Sequence, residues 1–420
     1  MVSQYKFVAL LALLSLAACN VEETGGNTGG VGGGAGASGE CPAGLAVVLS
    51  DYVSTQIALS GTDGATLSES VLSTASSQTD GLAFALSGDV KLPSARPASG
   101  ELVLLDRFGT NVVTWLNPTT GKVRAQLAVG TGFESNPSDY LEVGEGVAWV
   151  TRYGQNESAG AQPHDAGGDI LVLDTEAPAI TGNILLPTAD ALPARPVAMT
   201  RLGGEVLVSL ERNALDFSEM GDAMLVAYDI ASGEETRRTT LTGYKSCGKA
   251  VLAPDAKRLA LACTGRVSWE GVPDSLSQSA LLILDATSQK LELLEAYAAE
   301  QLAGEPLQSD VAFANARLVL LKTQTPSGGA THNRWLSYEL GSATAEALLE
   351  ASPDAHGAGK GLVYGGMVCL PGCSNLCLMA DADQGVLQRA QIRDDGRVEL
   401  IAPVAVEDTV GLPPVGLGER

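Results

Sequence analysis

From Ala43 onward the chain alternates short apolar runs with clusters of glycine and polar residues. Seven runs stand out: Leu45–Leu49, Leu102–Leu105, Val147–Val150, Val206–Leu210, Leu259–Ala262, Leu318–Leu321 and Leu376–Met379. Each is too short for an ordinary helix and rich in Leu and Val, which marks a strand. A second apolar run follows and ends in a tight polar turn. Examples are Leu116–Lys122, Tyr228–Glu234 and Leu284–Lys290, with Gly61–Gly64 and Asp394–Arg397 at the same place in other copies. Asn or Asp opens such a turn, Ser or Thr supports it, and Gly supplies a positive φ. A further strand follows the turn. Another short strand precedes the first run, as at Leu82–Leu86, Pro196–Thr200, Lys249–Leu252 and Val311–Ala314.

Four strands per copy and seven copies predict an all-β fold, a seven-bladed β-propeller of four-stranded blades over residues 43–420. The first copy lacks its leading strand. The end of the chain, Asp408–Leu417, is a strand-like piece without followers. The pattern predicts that this piece completes the N-terminal blade and closes the ring, which leaves no open edge. An apolar strand ending in D-x-x-[ST]-G-x, as in Tyr228–Glu234, resembles the YVTN or YncE-like propellers of surface-layer type. That resemblance covers most of residues 43–418 and implies the same architecture.

The first twenty residues follow another logic. Lys6 precedes an apolar run, Phe7–Leu14, and small residues follow, the order of a secretory signal. Leu16-Ala17-Ala18-Cys19 resembles a bacterial lipobox. The resemblance implies a signal peptide over 1–18, cut before Cys19, and acyl chains including palmitate on Cys19. Several chains at about 0.8 kcal/mol per buried CH₂ make a durable membrane anchor. Asn20 stands where an Asp would resemble an inner-membrane retention signal, which favours the outer membrane. Residues 19–42 form the lipidated Cys and a Gly-rich tether with too little apolar bulk to fold.

Composition narrows the functions. A net charge of −23 repels phosphate backbones and argues against nucleic-acid binding. Three histidines leave little room for His-based metal or acid–base chemistry. No C-x-x-C-H, H-E-x-x-H or G-x-S-x-G motif occurs. Six cysteines besides Cys19, in an exported chain, imply disulfides. Hairpin geometry favours Cys247 with Cys263 and Cys369 with Cys377, which leaves Cys41 with Cys373 across the ring closure. Cys369, Cys373 and Cys377 have metal-like spacing but no His close by, so no metal site is assigned. Asp381–Gly385 resembles the start of a calcium loop without its distal Glu. It reads as a strand-end turn, with calcium the one cofactor alternative.

In a propeller the second-to-third-strand loops share a face with the blade-to-blade loops. Four of them are long here: Tyr153–Gly168, Asn213–Gly221, Val267–Gln278 and Thr323–Arg334. Long loops on a rigid scaffold are where binding concentrates. Arg107, Arg152, Arg212 and Arg266 follow the second strands of four copies and predict a ring of guanidinium groups for carboxylate or phosphate. Trp269 and Trp335, near or inside long loops, are contact candidates. These observations favour a monomeric, non-catalytic binding or scaffold lipoprotein whose partner is an envelope protein or a small anionic ligand. The alternatives are a lactonase- or quinoprotein-like propeller enzyme, with a metal or cofactor in the channel, and a purely structural envelope component.

Overall fold

The second strand of each repeat is a continuous apolar run because both its faces are covered by neighbouring sheets. A computed structural model shows this arrangement and describes residues 41–76, 78–266, 276–323, 334–350, 364–382, 384–406 and 411–420. All of these lie in one unit, Gly32–Arg420. The signal peptide, Cys19 and nearly all of the tether lie outside them, as do Trp269 and most of the loops Val267–Gln278 and Thr323–Arg334.

Seven four-stranded antiparallel sheets form the blades. Blade 1 contains β1 (Leu45–Ser50), β2 (Thr55–Ser60) and β3 (Thr66–Ser73). Blade 2 contains β4 (Val90–Lys91), β5 (Leu102–Asp106), β6 (Val112–Leu116) and β7 (Val123–Ala128). Blade 3 contains β8 (Pro137–Gly144), β9 (Val147–Arg152), β10 (Asp169–Asp174) and β11 (Ala179–Leu185). Blade 4 contains β12 (Pro196–Leu202), β13 (Glu205–Leu210), β14 (Met224–Asp229) and β15 (Glu235–Thr240). Blade 5 contains β16 (Val251–Leu252), β17 (Arg258–Cys263), β18 (Ala280–Asp285) and β19 (Leu293–Ala298). Blade 6 contains β20 (Leu307–Phe313), β21 (Leu318–Thr323), β22 (Arg334–Glu339) and β23 (Glu346–Glu350). Blade 7 contains β24 (Tyr364–Cys369), β25 (Leu376–Asp381), β26 (Val386–Ile392) and β27 (Val398–Ala405). The last strand, β28 (Pro414–Glu419), returns to blade 1 and makes the order β28–β1–β2–β3.

The closure is antiparallel, with Leu45 opposite Glu419 and Val47 opposite Leu417. Beyond the strands, the Ala43 amide donates to the Arg420 carbonyl (2.9 Å) and the Arg420 amide to the Gly44 carbonyl (3.0 Å). A Cβ on Gly44 would stand 2.4 Å from the Ser60 carbonyl oxygen, so the approach at this joint requires glycine. Cys41 is disulfide-bonded to Cys373 across the closure, Cys247 to Cys263 and Cys369 to Cys377.

An apolar core fills each of the seven blade-to-blade interfaces. One cluster joins Leu207 and Leu225 of blade 4 to Leu261 and Leu282 of blade 5. Another joins Leu45 and Val47 of blade 1 to Leu376 and Leu378 of blade 7, which completes the circle. Burial falls away outward: β14 is buried along almost its whole length, whereas β15, Glu-Thr-Arg-Arg-Thr-Thr, is half-exposed or exposed throughout.

The third-to-fourth turns are built as their residues dictate. Asp229 Oδ1 accepts from the Ser232 amide (2.8 Å) and hydroxyl (2.9 Å), and Gly233 takes φ 70°. Asn117 does the same for the amides of Thr119 and Thr120, both at 2.9 Å. The register shifts once or more in every third-to-fourth strand pair, which adds twist to the outer blade edge.

Two leading strands differ from expectation. Leu82–Leu86 is not a strand. The amides of Ala83 and Phe84 both donate to Gln126 Oε1 (2.7 Å), so a side chain takes the ladder's place. The leading strand of blade 2 is only Val90–Lys91, and Pro93, two residues on, has no N–H to give. In blade 5 the strand shortens to Val251–Leu252.

Candidate functional site

The four arginines do not form a ring. They stand at unequal depths: Arg152 is the last residue of β9, whereas Arg107, Arg212 and Arg266 lie one, two and three residues beyond β5, β13 and β17. Each is bound locally. Arg107 grips Asp89 through Nε (3.0 Å) and Nη2 (2.5 Å). Arg152 is fully buried and bidentate to the buried Asp169, at 2.8 and 2.7 Å. Its remaining N–H groups reach the carbonyls of Val129 and His164 and the Thr131 hydroxyl, so it clasps the loop 153–168 from beneath. Arg212 is buried and donates to the Ala189 carbonyl (2.8 Å), Asp190 Oδ2 (3.0 Å) and the Asp222 carbonyl (3.1 Å). Arg266 is exposed, and among the described residues its guanidinium touches only the Ser218 carbonyl, at 3.5 Å. Arg152 and Arg212 are therefore structural clasps, a correction to the expected anion ring.

Trp335 is also corrected. It lies in β22, fully buried in the core between blades 6 and 7, with its indole N–H 3.0 Å from Met367 Sδ. A strand-borne indole at a blade interface has no surface to offer a partner. Asp381, the first residue of the calcium-like stretch, accepts from the Gln384 amide (3.2 Å) and Gln388 Nε2 (2.8 Å) as a turn residue. No three metal-ligating side chains converge among the described residues.

The long loops of blades 3 and 4 do come together. Between them opens a cleft of about 750 Å³, lined by Gln155, Glu157, Thr188, Leu192, Leu215 and Asp216 among others. Its walls are fixed. Asp165 accepts from the amides of Gly160, Ala161 and Gln162 at 2.8–2.9 Å, and these bonds hold its carboxyl below the usual range. Arg195 staples the two loops: its guanidinium packs 4.6 Å from the Tyr153 ring centroid and 5.4 Å from that of Phe217. It donates to the carbonyls of Tyr153, Asn213, Ala214 and Leu215. On the channel side of this staple stands Glu211, whose Oε2 accepts from Tyr153 Oη (2.9 Å) and Asn213 Nδ2 (3.0 Å). Burial pushes the Glu211 carboxyl up, against the opposing pull of the Tyr153 hydroxyl and the charges of Lys91 and Arg195. Tyr52, Val53 and Phe108 are exposed on the short loops of blades 1 and 2, on the same face.

The central channel is charged, which sequence reasoning missed. Lys91, Asp139, Lys249 and Asp310 come from the innermost strands or their approaches, and Lys322 reaches inward from β21. The available signals were a lysine inside an apolar run, Leu318-Val319-Leu320-Leu321-Lys322, and the Ser-Asp pairs Ser138-Asp139 and Ser309-Asp310 on two first strands.

Architecture and channel together define a seven-bladed β-propeller with loops built up on one face. No protein-family model matches the sequence, and no curated protein does. Solved structures do. The periplasmic gluconolactonase PpgL of Pseudomonas aeruginosa is 13% identical with a TM-score of 0.55, covering 89% of this chain and 98% of that one. A hypothetical selenium-binding protein of Sulfolobus tokodaii is 10% identical with a TM-score of 0.56, covering 90% and 94%. A Bacteroides fragilis protein provisionally named a 6-phosphogluconolactonase is 12% identical with a TM-score of 0.55, covering 89% and 97%. At these identities the likeness is one of fold.

Proposed function

We propose that this is a lipid-anchored propeller of the bacterial outer membrane that serves as a non-catalytic binding module, with its partner seated on the long-loop face. The cleft between blades 3 and 4 carries this reading. Its wall is pinned by Arg195, which holds the carbonyls of Ala214 and Leu215, so little order is lost there on binding. Its lining includes Glu157 and Asp216 but no Lys or Arg, beside Leu192, Pro193, Ala214 and Leu215. That chemistry suits a protein segment with a cationic group next to an aliphatic one. A photo-crosslinking residue at Leu215 should trap one discrete partner in cells, and Glu157→Lys with Asp216→Lys should abolish the adduct. The control position is Leu185, exposed at the end of β11. No adduct at Leu215, or the same adducts at both positions, would refute the reading. Cys19→Ser should move the protein from the membrane to the soluble fraction.

A second reading rests on Glu211. A carboxyl with a raised pKa at the channel mouth, hydrogen-bonded to Tyr153 and near Lys91, suits general acid–base chemistry. Two propellers of like fold bear lactonase names. Hydrolysis of a sugar lactone by the purified propeller, lost in Glu211→Gln, would establish this reading over the first.

A further inference from the structure

Three lysines turn toward the propeller axis. The Lys91 ammonium donates to the carbonyls of Ser138 (2.8 Å) and Val197 (3.3 Å), in blades 3 and 4. Lys249, two residues ahead of β16, crosses to the Ser94 carbonyl next to β4. Lys322 binds Asp310 Oδ2 (2.7 Å) and the Gly365 carbonyl of blade 7. Groups from blades 2 to 7 thus meet around one space. The inner edges approach closely: a Cβ on Gly248 would lie 2.1 Å from the Ser309 carbonyl oxygen.

The charges there are unevenly matched. Lys91 and Lys249 make no ion pair with any described residue and are held by carbonyl oxygens alone. The buried Asp139 already accepts from the backbone amides of Ser94 (2.8 Å), Tyr140 (2.9 Å) and Met199 (2.6 Å). Asp310 is engaged by Lys322, and its side chain is 47% exposed, so the channel admits solvent at this level. Three ammonium groups therefore face two committed carboxylates. Glu211 and Glu419 stand toward the two ends of the channel, and burial pushes both carboxyls up. Burial also pulls the ammonium groups of Lys91 and Lys249 down. Asp139, Asp310 and Glu211 oppose this at Lys91, where Arg107 adds to it; Asp139, Glu419 and Asp310 oppose it at Lys249. Such ammonium groups gain most from a counter-ion that enters the channel.

We infer that the channel holds a binding site for one small oxyanion, an inorganic oxyanion or a carboxylate, between Lys91, Lys249 and Lys322. The site is separate from the cleft and does not depend on it. An anion there would accept charge-assisted hydrogen bonds, the strong kind, from ammonium groups now turned to carbonyls.

Titration calorimetry on the purified propeller in low-salt buffer tests this. Sulfate probes an inorganic source and succinate a carboxylate source. One saturable site for either is expected. Lys91→Met and Lys249→Met should each weaken it at least about tenfold, the worth of one charge-assisted hydrogen bond. Asp310→Asn removes the competing carboxylate and should tighten binding severalfold. No binding of either anion to the wild type overturns the inference, as does unchanged affinity in folded lysine variants. If those variants fail to fold, Asp310→Asn decides: unchanged or weaker affinity overturns it.

Discussion

The closure of the ring offers a test with a number attached. Cys41 and Cys373 are 332 residues apart, the other two pairs only 16 and 8. In the chain-entropy description, a cross-link stabilises by restricting the unfolded chain, and its effect grows with the logarithm of the loop. The three loops then give about 6, 3 and 2.5 kcal/mol, from long to short. The perturbation is Cys41→Ser with Cys373→Ser. Cys41 is exposed and Cys373 half-buried, so little packing is lost. The hydrogen bonds of β28 to β1 remain to close the ring. The native state should thus be nearly unchanged, and the cost should fall on the unfolded side. Urea unfolding followed by tryptophan fluorescence should show a loss of several kcal/mol. The m-value should rise, because the released chain exposes more surface. A loss under about 2 kcal/mol with an unchanged m-value would refute the reasoning, since it would mean that the unfolded chain keeps its ends together without the bond.

Three further expectations follow from single sites. Arg152→Met strands the buried Asp169 carboxylate and should cost about 3–5 kcal/mol; Arg152→Met with Asp169→Leu should recover much of it in the same unfolding assay. Glu211 has a folded-state pKa above its unfolded one, so its contribution to stability is fullest at low pH and is lost as pH rises through the interval between the two. Glu211→Gln should therefore raise Tm at pH 7–8 and match the wild type near pH 4; a lower Tm at every pH would show that the charge is favoured where it sits. Deleting residues 411–420 bares the β1 edge and the apolar seam to blade 7, and size-exclusion chromatography should show aggregates that the full chain does not form.

The blades were legible because each repeat states itself locally. A Leu- and Val-rich run between polar turns can only be a strand buried on both faces, and Asp229 or Asn117 marks where it must reverse. The ring closure was legible from what each end lacked. Hairpin spacing was enough to suggest the partners that Cys247 and Cys369 have. The candidate site was much less so. Arg107, Arg152, Arg212 and Arg266 look equivalent when runs are aligned by eye, yet a drift of up to three residues sends one into the core and another into solvent. Trp335 stands at the edge of a loop in sequence and at the second position of a strand in space, where the pleat turns it inward. The channel was hidden for a related reason. Its lining comes from residues scattered over several blades, Lys91, Asp139, Lys249, Asp310 and Lys322, set by strand direction rather than by any local motif. Lys91 and Lys249 gain meaning only when six other blades are placed around them.

The placement of the first disulfide bears on how the loop face could be used. Cys41 precedes β1, the second strand of blade 1, and Cys373 lies between β24 and β25, the first and second strands of blade 7. First-to-second-strand loops lie on the face opposite the second-to-third-strand loops. The chain therefore enters the propeller on the side away from the cleft lined by Glu157, Leu215 and Asp216. On the reading proposed above, the cleft is then a surface clear of the point where the chain enters. The Cys41–Cys373 bond then has two consequences from one position: it restrains the unfolded chain, and it fixes the chain's entry at the face opposite the cleft. Arg420 lies at the same end of the molecule, hydrogen-bonded to Ala43 and Gly44, so both ends of the propeller chain stand away from the cleft.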